Sequence, residues 1–382
     1  MSNRRAGLGC ILLLAATAGC GGEPKGVASA DRETAAPRKL DLLPGMPPVV
    51  DPGNMYSETT ADKMSPAVKG QKELIYVPNA GGNSVSVIDP AKMRVVDTFR
   101  VGKEPQHVVP SYDLKTLYAT NDLSDTLSVI DPYTGKFVKT LKVDDPYNMY
   151  FTPDGKFAIV VAERKKRLDF RDPHTFELKQ SLPVPCRGVD HIDFSIDGRY
   201  LIATCEFSGQ LVKVDVANRK VLGALSTPGG GMPQDVKASP DGKVFYVADM
   251  DANGVHLIDG DAFRVIGFIP TGKGAHGLYV SKDFKYMYVT NRGEGSVSLI
   301  DLASRKEVKK WQIPGGGSPD MGNLSADGKI FWVSGRYHHV VYAIDTTDGK
   351  LLAKIKVGRN PHGLCVWPQP GRYSTGHTGI MR

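Results

Sequence analysis

The 382-residue sequence is poor in the motifs that announce chemistry. It holds no GxxxxGK[ST] loop, so nucleotide binding of the P-loop type has no support. It holds no ligand pair as tight as CxxC or HExxH, so no metal site can be read from local spacing. The apolar run near the N-terminus, residues 11–16, falls far short of the roughly 20 residues that cross a bilayer as a helix. Charge of one sign is also scarce. The formal net charge is +7, and loss of residues 1–19 with Arg4 and Arg5 lowers it to +5. Without a clustered basic stripe this bias does not point to nucleic acid. With 41% apolar and 23% charged residues, the chain has the material for a large core.

The first twenty residues, MSNRRAGLGCILLLAATAGC, place two arginines before a short apolar run and then small residues, the layout of an export signal over residues 1–19. Ala18 and Gly19 directly before Cys20 resemble a bacterial lipobox, in which the cysteine is lipid-modified and becomes the mature N-terminus; Thr17 stands where Leu or Val is more usual. The expectation is a lipoprotein anchored through Cys20, on the cell surface or in the periplasm, with the membrane touched by lipid alone. Residues 20–70 carry seven prolines after position 20 and little apolar periodicity, and read as a disordered tether.

Beyond the tether the chain repeats itself. YVTNRGEGSVSLID (288–301) has a looser copy in YVPNAGGNSVSVID (76–89), and an Asp closing such a run recurs at Asp89, Asp131, Asp172, Asp215, Asp259, Asp301 and Asp345. The spacing stays between 41 and 44 residues, the mark of a repeat architecture. Each period accommodates four short strands of alternating character separated by turns, which excludes a helical solenoid. Four antiparallel strands in seven units predict an all-β, seven-bladed propeller over residues 71–370, followed by a tail at 371–382. The first unit lacks an innermost strand. HGLCVW (362–367) supplies it, so the last strand closes the ring against the first.

YVTN (288–291), with YVPN (76–79), YATN (118–121) and YVAD (246–249), SPDGK and TPDGK turns and a Pro-His-Gly at 361–363, resembles the YVTN family of β-propeller repeats over about residues 72–370. Such propellers include surface-layer and envelope proteins, lactonases and cofactor-binding domains, so the resemblance implies the fold and leaves the activity open.

One end of the blades is uniform, with turns such as PDGK, IDGR and ADGK. At the other end the repeats differ. Candidate ligand-binding residues there are His107, Asn148, Glu163, Arg187, Asp190, His191, Asp235, Asp249, His276, Asn291, Asp320 and His362, expected around the mouth of the central channel. The alternative is that these side chains bond the backbone of neighbouring blades. TPGGGMPQD (227–235) and IPGGGSPDM (313–321) offer Gly-rich backbone that could hold an anion or merely turn sharply.

The sequence thus favours a non-enzymatic envelope lipoprotein, monomeric, that binds an envelope protein or small ligand at the polar mouth, with no cofactor. One alternative is a lactonase-like hydrolase using Glu163, His191 and Arg187. The other is a metal- or haem-binding propeller, such as the one that holds the d-type haem of nitrite reductases. Four histidines on four blades, His107, His191, His276 and His362, are expected to lie too far apart to share one ion, although two of them with Asp190 or Asp235 could. Cys186 and Cys205 are expected to form a disulfide, and Cys365 to be a buried thiol.

Overall fold

The computed structural model describes residues 40–382. The expected export signal, Cys20 and the first part of the expected tether lie outside the described residues. Among the described residues no helix is long and apolar enough to cross a membrane.

Seven antiparallel sheets surround a central axis. Blade 1 spans residues 74–100, blade 2 residues 105–142, blade 3 residues 148–183, blade 4 residues 189–226, blade 5 residues 233–270, blade 6 residues 275–312 and blade 7 residues 319–356. Inner strands such as Val189–Phe194 are buried along their whole length, whereas outer strands such as Lys220–Ser226 alternate exposed and half-buried residues. That gradient follows from radial packing, in which inner and middle strands meet both neighbouring blades and only the outermost edge meets water. The apolar residues between blades form the core; one cluster joins Ile159 and Phe170 of blade 3 to Leu201 and Val212 of blade 4. The ring closes as the sequence requires, with Leu74 opposite Trp367 and Tyr76 opposite Cys365.

Two segments outside the repeats depart from expectation. Residues 40–70 are not a loose tether but a strap across the uniform turns. Leu43 N–H donates to Asp197 O (2.8 Å) and Met55 N–H to Pro240 O (2.8 Å). Tyr56 Oη donates to Ala238 O (2.9 Å), and Leu43, Met55, Tyr56 and Val68 are buried. Isolated apolar anchors among prolines leave no periodic signature, which is why composition suggested disorder.

The second departure is the tail. Residues 374–376 and 380–381 extend blade 3 to six strands, with Gly376 opposite Tyr150. Gly376 holds φ +100°, and a Cβ there would stand 2.6 Å from Met149 O, so only glycine lets the tail lie this close. Arg382 ends the chain buried, its Nη2 2.6 Å from Asp193 Oδ1. The tail therefore enters the centre of the ring.

Cys186 and Cys205 are joined in a disulfide at the start of blade 4, with Cα atoms 6.0 Å apart and a sequence separation of 19. Cys365 is a free, buried thiol. Opening the disulfide by Cys186→Ser is expected to lower the unfolding free energy by about 3 kcal/mol, the loop-closure term for a ring of this size. Urea titrations of both proteins without reductant check this, and equal midpoints and slopes would refute it.

Candidate functional site

The axial polar residues are presented by a backbone device repeated in five inner strands. Pro105 pairs with Asn121 and Val108 with Ala119, so Gln106 and His107 together oppose Thr120 alone. The same two-against-one bulge carries Asp190-His191, Gln234-Asp235, His276-Gly277 and Asp320-Met321. In four blades a hydroxyl on the second strand fixes the bulge. His107 N–H donates to Thr120 Oγ1 (3.1 Å), and that hydroxyl donates to Tyr147 O of the next blade (3.0 Å). Thr204, Thr290 and Ser334 repeat the arrangement towards Gln234 O, Asp320 O and His362 O. The third letter of the YVTN motif is thus a clasp between blades.

What the bulges present is enclosed rather than lining an open mouth. His107, Asn148, Asp190, His191, His276, Asp320 and His362 are all at most 2% exposed. They converge with His377 from the tail, a residue absent from the sequence-based candidates. It sits outside the repeat register, and its only sequence signal is a histidine between glycines in GHTG.

Two groups can be distinguished. In the first, one ring nitrogen each of His107, His191 and His377 lie within 4.8 Å of one another. Ring centroids are 5.2 Å apart for His107 and His191, 5.0 Å for His107 and His377, and 4.7 Å for His191 and His377. Both nitrogens of His107 and His191 and Nε2 of His377 are buried without a hydrogen-bond partner. Nδ1 of His191 lies 2.7 Å from Asp190 Oδ1, though not aligned as a hydrogen bond. Nδ1 of His377 lies 3.0 Å from Asn148 Nδ2, which orients that ring. Burial, then the neighbouring imidazoles, holds His107 and His377 well below the usual histidine range.

The second group centres on Asp320. Its Oδ2 lies 2.6 Å from His362 Nδ1 and 3.5 Å from Arg336 Nη1; its Oδ1 lies 3.0 Å from Arg292 Nη1 and 3.3 Å from His276 Nδ1. Burial alone would raise this carboxyl, but His276, His362 and Arg292 outweigh it and hold it well below the usual carboxylate range. His362 is pushed down to about 4 by burial, which Asp320 offsets only in part. The groups touch through His107 and His362, whose rings are 4.8 Å apart. Of the four histidines on four blades, His107 and His191 come within ligand distance of each other and of His377, whereas His276 and His362 gather on Asp320. Bulges turn His107, His191 and His276 inward.

Other candidates have different duties. Asn291 donates to Ser296 and Ser298 and accepts from Gly272 N–H, and Asp249 accepts from Met232 and Ala252 N–H; both brace loops. Asp235 ties its own strand to Leu278 of blade 6. Because Met232 N–H already meets Asp249, the loop at 227–232 takes up an internal carboxylate. Arg187 is exposed beside Phe207 O, away from buried His191, so the trio Glu163, His191 and Arg187 does not assemble. Glu163 and Glu206 are half-buried near Asp190; burial, then repulsion from Asp190, raises Glu163 to about 8 and Glu206 to about 7.

A closed ring of seven antiparallel blades defines a seven-bladed β-propeller. The chain belongs to the YncE-like β-propeller family, whose model matches residues 40–370. It is 22% identical to the uncharacterized protein YncE of Salmonella typhi over 269 residues, covering 66% of this chain and 75% of that one. Among solved structures it is similar to the hydrazine synthase of Kuenenia stuttgartiensis (21% identity, TM-score 0.64, covering 82% of this chain and 98% of that one). It is also similar to the dihydro-heme d1 dehydrogenase NirN (15% identity, TM-score 0.60, covering 77% and 75%). At these identities the two structures share the fold with this chain and no more.

The buried imidazoles make the fold sensitive to acid. A ring whose folded pKa lies below the unfolded value near 6.5 stabilises the native state fully above that pH, and its contribution is lost as pH falls towards the folded value, about 4 for His362. Unfolding free energy of the metal-free protein is expected to drop between pH 6.5 and 4, by up to about 1.4 kcal/mol per pH unit for each such ring. Urea titrations across this range check it, and a flat profile would contradict it.

Proposed function

We propose that the chain is a non-catalytic metal-binding propeller, whose ligand is one transition-metal ion of the zinc or copper class held on the axis by His107, His191 and His377. The observation that carries this reading is the set of three buried rings that each bring one nitrogen within 4.8 Å of the others, five of their six ring nitrogens having no hydrogen-bond partner among the described residues. A purely structural cluster of this kind leaves the desolvation penalty of each polar atom uncompensated. An ion recovers it, because neutral imidazole is a favoured ligand for these metals. Metal–nitrogen bonds of about 2.0–2.1 Å set ligand nitrogens about 3.4 Å apart in a tetrahedral site, so small rotations of the three rings close them on the ion. Asp190 beside His191 Nδ1 has the placement of an outer carboxylate that orients a ligating ring. Burial raises its carboxyl well above the usual range, and the field of a cation reverses that and drives ionisation. Metal uptake is then coupled to proton release and strengthens as pH rises.

A macrocycle such as haem fits less well, since the tail already occupies the axis with His377 at 0% exposure. A hydrolase is disfavoured because its three candidate groups are dispersed.

Metal-depleted protein titrated calorimetrically with zinc, and in parallel with copper and nickel, is expected to take up one equivalent of at least one ion. His191→Ala and His377→Ala are each expected to weaken binding by about 100-fold or more, the scale of losing one ligand or its support. No stoichiometric uptake of any of the three, or unchanged affinity in both variants, would refute the proposal.

We place this site in the cell envelope, tethered by a lipid on Cys20. The small residues before that cysteine support the assignment, and so does the disulfide, which persists in oxidising compartments. A Cys20→Ala variant is expected to leave the membrane fraction; retention equal to the parent would overturn the anchor.

A further inference from the structure

The strap and the tail border a cavity of about 70 Å³, partly open to solvent, on the side of the uniform turns. Its walls come from Tyr56 of the strap, the first strand of blade 6 with Lys282 and Phe284 beyond it, Asn323 of blade 7, and residues 378–381 of the tail. Only two ionisable cations line it, Lys237 and Lys282, and no carboxylate does.

Among the described residues neither lysine has a counter-ion. Lys237 is 5% exposed, and among the described residues its ammonium makes no hydrogen bond or ion pair. Lys282 Nζ has one partner, the neutral Oε1 of Gln369 at 3.0 Å. An ammonium carries three donors, so most of the donor capacity of the pair is unused. Burial of a cation without a compensating charge is costly, and here it lowers Lys282 to about 8. Opposite the lysines the surface is apolar and aromatic, with Tyr56 stacked on Phe284 at a centroid distance of 6.5 Å and Leu278 beside them. The volume holds several water molecules, since one needs about 10–15 Å³, and leaves no room for a nucleotide.

We infer that this cavity is a binding site for a small organic monocarboxylate, its carboxylate held between Lys237 and Lys282 and its apolar body against Tyr56 and Phe284. One negative charge satisfies both ammoniums, and the half-apolar wall favours a carboxylic acid over a fully hydrated inorganic anion. Occupation restores the protonated state of Lys282, so affinity is expected to fall as pH rises above about 8.

The site does not use the axial histidines, and the test separates the two. Butyrate and benzoate are titrated calorimetrically into the metal-free full chain carrying His377→Ala, with butan-1-ol and benzyl alcohol as uncharged counterparts. At least one acid is expected to bind at a single site, about tenfold or more tighter than its alcohol, as a charge-assisted hydrogen bond requires. Lys282→Met and Lys237→Met are each expected to weaken that acid about tenfold, while their circular dichroism stays that of the parent. Should a methionine variant fail to fold, Lys282→Gln and the loss of affinity from pH 7 to 9 supply the same comparison. Absence of saturable binding by both acids, equal binding of acid and alcohol, or affinities unchanged in both lysine variants would overturn the inference.

Discussion

The hydroxyl clasp at the inner edge of the ring is the interaction on which the rest depends. Thr120, Thr204, Thr290 and Ser334 each join the bulged strand of their own blade to a carbonyl of the next. A single hydrogen bond of this kind contributes only about 1 kcal/mol. Its position matters more than its strength, because it sets both the spacing between blades and the direction of two residues per bulge. Side chains that a regular strand would point into the inter-blade core are turned towards the axis instead. The concentration of histidine and aspartate there is a consequence of backbone geometry as much as of residue choice.

The axis so created is polar and buried, and the two groups within it resolve their charges differently. Asp320 gathers Arg292, Arg336, His276 and His362 around one carboxylate, a network whose charge is balanced within the protein even though His276 Nδ1 makes no hydrogen bond among the described residues. Around His107, His191 and His377 most ring nitrogens lack partners. That contrast between neighbouring clusters in one channel is the strongest physical reason to look for an external ligand at one and not at the other.

The fold was legible because a propeller writes itself into the chain seven times: the Asp at the end of each second outward run and the Asp-Gly turns mark the register directly. The closing strand at residues 365–367 was legible for the same reason. The polar axis was half legible. Sequence comparison of the repeats found His107, His191, His276, Asp320 and His362, but it also collected Asn291 and Asp249, which brace loops, and Arg187, which faces water. Position in a repeat shows which end of a blade a residue occupies, not whether a bulge turns it inward. The strap and the tail were read least well. Leu43, Tyr56 and His377 act through single contacts in segments without period, and such contacts become visible only once the ring they touch has been built.

His377 follows all seven blades in the chain, and so does the strand that closes blade 1. A polypeptide emerging from its N-terminus can pair most of its blades before either piece exists, yet neither the ring nor the triad of imidazoles is whole until the final residues arrive. The axis is consequently sealed by the same stretch of chain that completes it.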